Sequence, residues 1–264
     1  MSATAKDLQL FYEETAREFA ERIRARFGDH VHSVVLYGSV ARQQAAAESD
    51  IDVLVLSDAP SASDQAVKYV GYELDDERGY KSHLSPLVIS PGGLEELRIG
   101  GFPIARHIID EGIVLSDDGS FRRWKNRGAM PTPGESYITD RLNRSRGMLR
   151  DARILLEANS VESAADRAYY TMLHAAEAAV GFRGAEPARS HQGIVSQLGE
   201  QLIKAGALQK SFSEYLTRGH NLRIIATYGS PELTKRVERT DAERLVANAQ
   251  EFVDRVAALI GILE

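Results

Sequence analysis

The sequence predicts two folds in succession, an α/β half with a small sheet and then an all-helical half. Short apolar runs of strand character alternate with helical segments as far as about residue 117. The stretch GAMPTPGES, residues 128–136, then sets two prolines and two glycines close together and breaks all periodicity. Beyond it strand-like runs disappear while helical periodicity continues. The boundary falls inside that stretch, giving domains at residues 1–133 and 134–264.

Each element has its own signal. Residues 7–27, DLQLFYEETAREFAERIRARF, place Phe11, Thr15, Phe19, Ile23 and Phe27 at four-residue spacing with charges between, an amphipathic helix that Gly28 ends. HSVVLYG reads as a short buried strand, DIDVLVLS as a second and SPLVIS as a third. Helical sequence over residues 62–77 joins the last two, with Ser61 and Asp64 as a capping pair. PGGLEELRIGG and FPIARHIIDEG read as short helices, and IVLSDDG as a last small strand. After the boundary come five helices, at residues 137–158, 161–180, 191–205, 211–228 and 241–262. Thr240 and Glu243 form a capping box for the last, whose apolar stripe is Leu245, Ala249, Phe252, Val256 and Leu259.

Composition bounds the function. The chain has 264 residues, 43% hydrophobic and 27% charged, enough for two ordinary cores. It has no cysteine, which excludes disulfides and thiolate metal sites and suits a reducing compartment. The start, MSATAKDLQLFYEE, lacks the pattern of a signal peptide, and no long uncharged run is present, so a cytoplasmic protein without membrane contact is expected. A net charge of -6 counts against non-specific RNA or DNA binding, which needs excess Lys and Arg.

The chemistry concentrates in VVLYGSVARQQAAAESDIDVLVL, residues 34–56. In a strand, residues two apart share a face, so Asp50 and Asp52 project together while Ile51, Val53 and Val55 enter the opposite layer. Neighbouring carboxylates repel, a cost that a divalent cation between them removes. Oxygen ligands favour Mg2+ or Mn2+, and Mg2+ binds through one or two carboxylates plus substrate phosphates. Gly38 lets a phosphate approach the backbone, the N–H groups at the start of a helix beginning near Val40 favour an anion, and Ser39 adds a hydroxyl donor. Arg42 could reach a phosphate or be a solvated surface charge.

Gly-Ser, ten residues, then Asp-x-Asp, with strands flanking both, resembles the signature of the DNA polymerase beta-like nucleotidyltransferases. That resemblance implies a small mixed sheet with helices and transfer of a nucleoside monophosphate, AMP from ATP, to a protein or small-molecule hydroxyl. By the same resemblance Gly38 and Ser39, with Arg42, bind the triphosphate, and Asp50 and Asp52 are the catalytic, Mg2+- or Mn2+-binding pair. The family's catalytic members carry a third carboxylate on a later strand. The corresponding YKSHLSPLVIS has no acid. His83 there reads as a polar strand-edge residue or as a base, Pro86 marks an edge strand, and Glu73, Asp75, Asp76 and Glu77 just upstream read as solvated.

RAYYTMLHAAEAAVGF, the later SHQG and LRIIATYG resemble the HEPN domain, a helical bundle often paired with minimal nucleotidyltransferases. The resemblance implies self-association as a homodimer through the helical half and a place in toxin–antitoxin or defence systems. Arg218 and Arg223 lack the following His of the HEPN ribonuclease motif, so RNA cleavage is not expected. Arg167 and His174 have a compatible spacing, with His174 expected in the core; Tyr169, Tyr170 and Tyr228 read as core or interface aromatics, Tyr228 also as an AMP acceptor, and His191 as a helix cap. ELTKRVERTDAER reads as a solvated face. Two competing readings share the aspartate signature: an aminoglycoside nucleotidyltransferase, and a nucleotide-binding regulatory or antitoxin-like module with weak catalysis.

Overall fold

The computed structural model describes residues 5–228 and 236–261. Its contacts divide the chain into two compact units, Met1–Pro131 and Thr132–Glu264.

The first unit is built on four strands, β1 (Val31–Leu36), β2 (Asp50–Ser57), β3 (His83–Ile89) and β4 (Ile113–Asp117), in the order β3-β2-β1-β4. β1 runs antiparallel to both β2 and β4, whereas β2 and β3 are parallel, so the sheet is mixed. The parallel pair requires a crossover, which α3 (Pro60–Glu77) supplies. β2 is interior and buried on both faces. Ile51, Val53 and Val55 join a core with Tyr12, Phe19 and Ile23 of α1 (Ala5–Phe27) and with Val67, Val70 and Leu74 of α3. Leu54 and Leu56 join the other, with Leu94 of α4 (Pro91–Ile99), Ile108 of α5 (Pro103–Glu111) and Phe121 and Trp124 of α6 (Ser120–Lys125). Each fully buried aliphatic side chain there stabilises the fold by about 1.5–3 kcal/mol.

The second unit is helical: α7 (Glu135–Glu157), α8 (Val161–Phe182), α9 (His191–Leu198), a π-turn (Gly199–Ile203), α10 (Ser211–Tyr228) and α11 (Arg239–Ile260). α8 is the central rod. Alanines 164, 165, 168, 175, 176, 178 and 179 are all fully buried, and such small side chains let neighbouring helices approach closely. Gly219 of α10 serves the same end, since a Cβ there would stand 2.9 Å from the Met172 side chain.

Local capping departs from expectation. α3 begins at Pro60 with Ala59 before it, and Asp64 pairs with Lys68 at 2.8 Å instead of capping with Ser61. α11 begins at Arg239, and Glu243 pairs with Arg239 at 2.9 Å, so Thr240 and Glu243 make no capping box. Ser190, not His191, caps α9, its hydroxyl accepting from the Gly193 N–H at 3.0 Å. Of the acids at the end of α3, Asp75 is buried and accepts the Ser82 hydroxyl at 2.7 Å; it is not solvated. Among the described residues, no helix is long and apolar enough to cross a membrane.

At the sheet end where β1 starts, His32 bridges two carboxylates, Nε2 to Asp58 at 2.6 Å and Nδ1 to Asp118 at 2.7 Å. The Asp58 and Asp118 partners raise the His32 pKa against a smaller opposing effect of burial. Burial pushes the Asp118 carboxyl up, but hydrogen bonds from Ser120 and His32 outweigh it and hold it at about 2. The imidazolium therefore adds stability that is complete below its unfolded value and lost as pH rises through the raised folded value; Asp118 adds stability lost only as pH falls toward 2. His32→Gln is expected to lower stability by about 0.5–1 kcal/mol at pH 6 in urea titrations, a partly exposed clamp being screened by water, and the gap should narrow by about pH 9.

Candidate functional site

Gly38, Asp50 and His83 meet at one edge of the sheet because strand directions bring the end of β1 and the beginnings of β2 and β3 together. Leu36 pairs with Val53, and the Tyr37 N–H donates to the Asp52 carbonyl at 2.9 Å, extending the ladder to the turn. Gly38 then takes φ +74°, a left-handed conformation. A Cβ on it would lie 2.0 Å from Asp52 Oδ2, so the carboxylate occupies the hollow that glycine leaves.

The helix after the turn, α2 (Gly38–Ala41), starts at Gly38 and not near Val40, and it is a single turn with little dipole of its own. The turn's anion-binding capacity therefore rests on its backbone N–H groups and on the Ser39 hydroxyl, which has no hydrogen-bond partner among the described residues. Gln44 N–H donates to the Ser39 carbonyl at 2.9 Å and Gln9 Nε2 to the Val40 carbonyl at 2.8 Å, fixing the loop from both sides.

Asp50 is exposed at the mouth of β2 and Asp52 is half-buried one step inside, both opposite the Ile51, Val53 and Val55 face. Burial raises the Asp52 pKa, the Asp50 charge raises it further, and Arg42 lowers it. Burial, with the Asp52 charge adding to it, pushes the Tyr37 hydroxyl up to about 12. The pair is thus an electrostatic load that a cation would relieve. Arg42 is not a free surface charge. It pairs with Glu111 at 3.0 Å and donates to Gln44 at 3.2 Å, which holds its guanidinium close enough to act on Asp52. Glu111 lies 69 residues away in sequence and carries no local signal.

On the neighbouring strand, Asp50 pairs in register with His83 and Asp52 with Ser85. Both are exposed, and paired residues of parallel strands share a face, so His83 and Ser85 flank the aspartate pair on β3. β3 is an edge strand, as Pro86 implies. Among the described residues no group of three or more His, Asp or Glu is arranged to hold a metal ion. Two carboxylates beside the backbone N–H groups of the Gly38–Ser39 turn still fit Mg2+, which fills its remaining positions with water and substrate phosphate.

In the helical unit, Tyr169 is fully buried, with Tyr170, His191 and His220 packed on it at ring-centroid distances of 5.4, 5.5 and 5.6 Å. Arg223 lies over Tyr170 at 5.1 Å and faces Asp166 at 3.5 Å, while Arg218 pairs with Asp241 at 2.7 Å. His174 is largely buried, its Nδ1 2.9 Å from Glu177. His191 is an aromatic packing residue whose pKa burial lowers, with help from Arg223 and His220. The side chain of Tyr228 and residues 232–235 of the charged stretch lie outside the described residues.

Comparison with known proteins assigns both halves. Residues 16–112 match the Nucleotidyltransferase domain family and residues 138–259 the HEPN domain family. A Methanocaldococcus jannaschii protein named "Putative toxin" is 30% identical over 108 residues, 41% of this chain and 77% of its own. A UPF0332 protein of Gloeobacter violaceus is 30% identical over 122 residues, 46% of this chain and 92% of its own. A second M. jannaschii protein, named "Putative protein adenylyltransferase", is 30% identical over 111 residues, 41% of this chain and 73% of its own. Each relative aligns with less than half of this chain, and the two family matches do not overlap. The chain belongs to the nucleotidyltransferase domain family through its first half and to the HEPN domain family through its second.

Proposed function

We propose that the protein transfers a nucleoside monophosphate, AMP from ATP, to a hydroxyl of a protein or small molecule, with Mg2+ or Mn2+ held by Asp50 and Asp52. The observation that carries this reading is the hollow at Gly38 with the Asp52 carboxylate seated against it. A polyphosphate lying on that backbone would have its oxygens beside both aspartates. The N–H groups of the Gly38–Ser39 turn and the Ser39 hydroxyl hold the tail; Arg42, fixed by Glu111, adds positive charge at the same place. Bound there, a divalent ion supplies positive charge to the polyphosphate oxygens and to the departing pyrophosphate.

Relatives named as a toxin and a protein adenylyltransferase support a toxin–antitoxin role and a protein acceptor. We also infer a homodimer formed through the helical half and a cytoplasmic location. His83 and Ser85 in place of an acid favour a second reading, a nucleotide-binding module with slow turnover. Under it nucleotide still binds through the aspartates, and labelled product does not accumulate.

With labelled ATP and Mg2+, alone and with cell extract, Asp50→Ala and Asp52→Ala are expected to lower label transfer by about 100–1000-fold, the scale of losing one electrostatic stabiliser. Unchanged transfer in the double variant would refute the assignment. Gly38→Ala should cost about 100-fold in the same assay, because its Cβ displaces the Asp52 carboxylate; wild-type rates would show that the hollow is not used.

A further inference from the structure

A cavity of about 470 Å³ opens between α7 and α11 of the helical unit, and none of its residues has a role in the site described above. Its floor is apolar, with Leu149, Val253 and Ala257 all buried, and its rim carries Arg146, Arg150 and Arg153. Four and then three residues apart, the arginines share one face of α7 and climb it over about 10.5 Å. Like charges at such spacing repel, so the stripe weakens α7 unless something neutralises it.

The surrounding groups satisfy little of that charge. Arg150 is exposed and has no hydrogen bond or ion pair among the described residues. Arg153 donates to the side-chain carbonyl of Gln250, a neutral partner, and the Gln250 amide in turn donates to Asp254 at 2.5 Å. Gln250 thus stands between a guanidinium and Asp254, the one carboxylate among the described residues that line the cavity. Other arginines of the same unit meet their acids directly, Arg144 with Asp140 at 2.9 Å, Arg218 with Asp241 at 2.7 Å and Arg239 with Glu243 at 2.9 Å. Guanidinium forks facing a cavity match phosphate oxygens, and each phosphate brings up to two negative charges.

Span and walls select the ligand. A single phosphate occupies one or two guanidiniums, whereas a stripe of about 10.5 Å engages several phosphates together. None of the described lining residues is aromatic, so the cavity offers no platform on which a nucleobase stacks. We propose that this cavity binds a small molecule with two or more phosphate groups on a non-aromatic carrier, either an inorganic phosphate chain or a phosphorylated sugar. The phosphates bridge Arg146, Arg150 and Arg153, and the carbon frame of a sugar rests on Leu149, Val253 and Ala257. Binding there needs no divalent ion and neither Asp50 nor Asp52.

The test is calorimetry on the full chain in EDTA at low ionic strength, with tripolyphosphate, fructose bisphosphate, orthophosphate, ATP and a single-stranded RNA hexamer. Tripolyphosphate or the bisphosphate is expected to bind at least about tenfold more tightly than orthophosphate; the tighter of the two identifies the carrier as inorganic or as a sugar. Arg150→Gln should weaken that binding about tenfold and Arg150→Gln/Arg153→Gln about 100-fold, both at exposed positions where folding is not at risk. Arg144→Gln, whose arginine pairs with Asp140, should change it by less than about twofold. Saturating tripolyphosphate should also raise the Tm of the wild type and leave that of the double arginine variant unmoved. Absence of binding, affinity no greater than for orthophosphate, or binding unchanged in the double arginine variant overturns the proposal. So does Arg150-dependent binding of ATP or RNA at least about tenfold tighter than tripolyphosphate, which would assign the cavity to a nucleotide or a nucleic acid. Titration of Asp50→Ala/Asp52→Ala should match the wild type; loss of binding there places the anion at the nucleotidyl-transfer site and overturns the proposal as well.

Discussion

The contact between the Asp52 carboxylate and the bare backbone of Gly38 is the constraint on which the first unit turns. It exists because β1 and β2 stay in register to their ends, Leu36 against Val53 and the Tyr37 N–H on the Asp52 carbonyl. A one-residue slip would carry both aspartates into the layer occupied by Ile51, Val53 and Val55. The double burial of β2 resists such a slip, since Leu54 and Leu56 would then leave their own core. Packing far from the site thus fixes the geometry of two charges at the rim.

Those charges work against stability. Burial and the neighbouring Asp50 both disfavour the ionised Asp52, and Arg42 offsets them only in part. Elsewhere in the same sheet, carboxylates are satisfied. Asp117, with no side-chain exposure, accepts the Ser33 hydroxyl at 2.7 Å and the Phe121 N–H at 2.9 Å, and Asp118 takes His32. The same strands therefore hold pacified acids at one end and an unrelieved pair at the other. Local strain of this kind is what a binding site needs and a scaffold avoids.

Much of this was legible in the sequence, for reasons that differ by residue. The face shared by Asp50 and Asp52 follows from strand periodicity, and the helical second half from the loss of strand-like runs after the Pro and Gly stretch. Capping was misread at Ser61, His191 and Thr240 because residue type is necessary for a cap but backbone entry decides it: Pro60 starts α3 early, and Ser190 reaches the N–H before His191 can. The burial of Asp75 depends on Ser82 folding back across a turn. Arg42 acquires its meaning from Glu111, and no local pattern encodes a partner on a different helix.

Pro86 carries one more consequence. It sits in the outermost strand and has no N–H to offer a further strand, while His83 and Ser85 beside it turn polar groups outward. Backbone recruitment along this border is therefore blunted, and a visiting polypeptide would have to be gripped by its side chains one at a time.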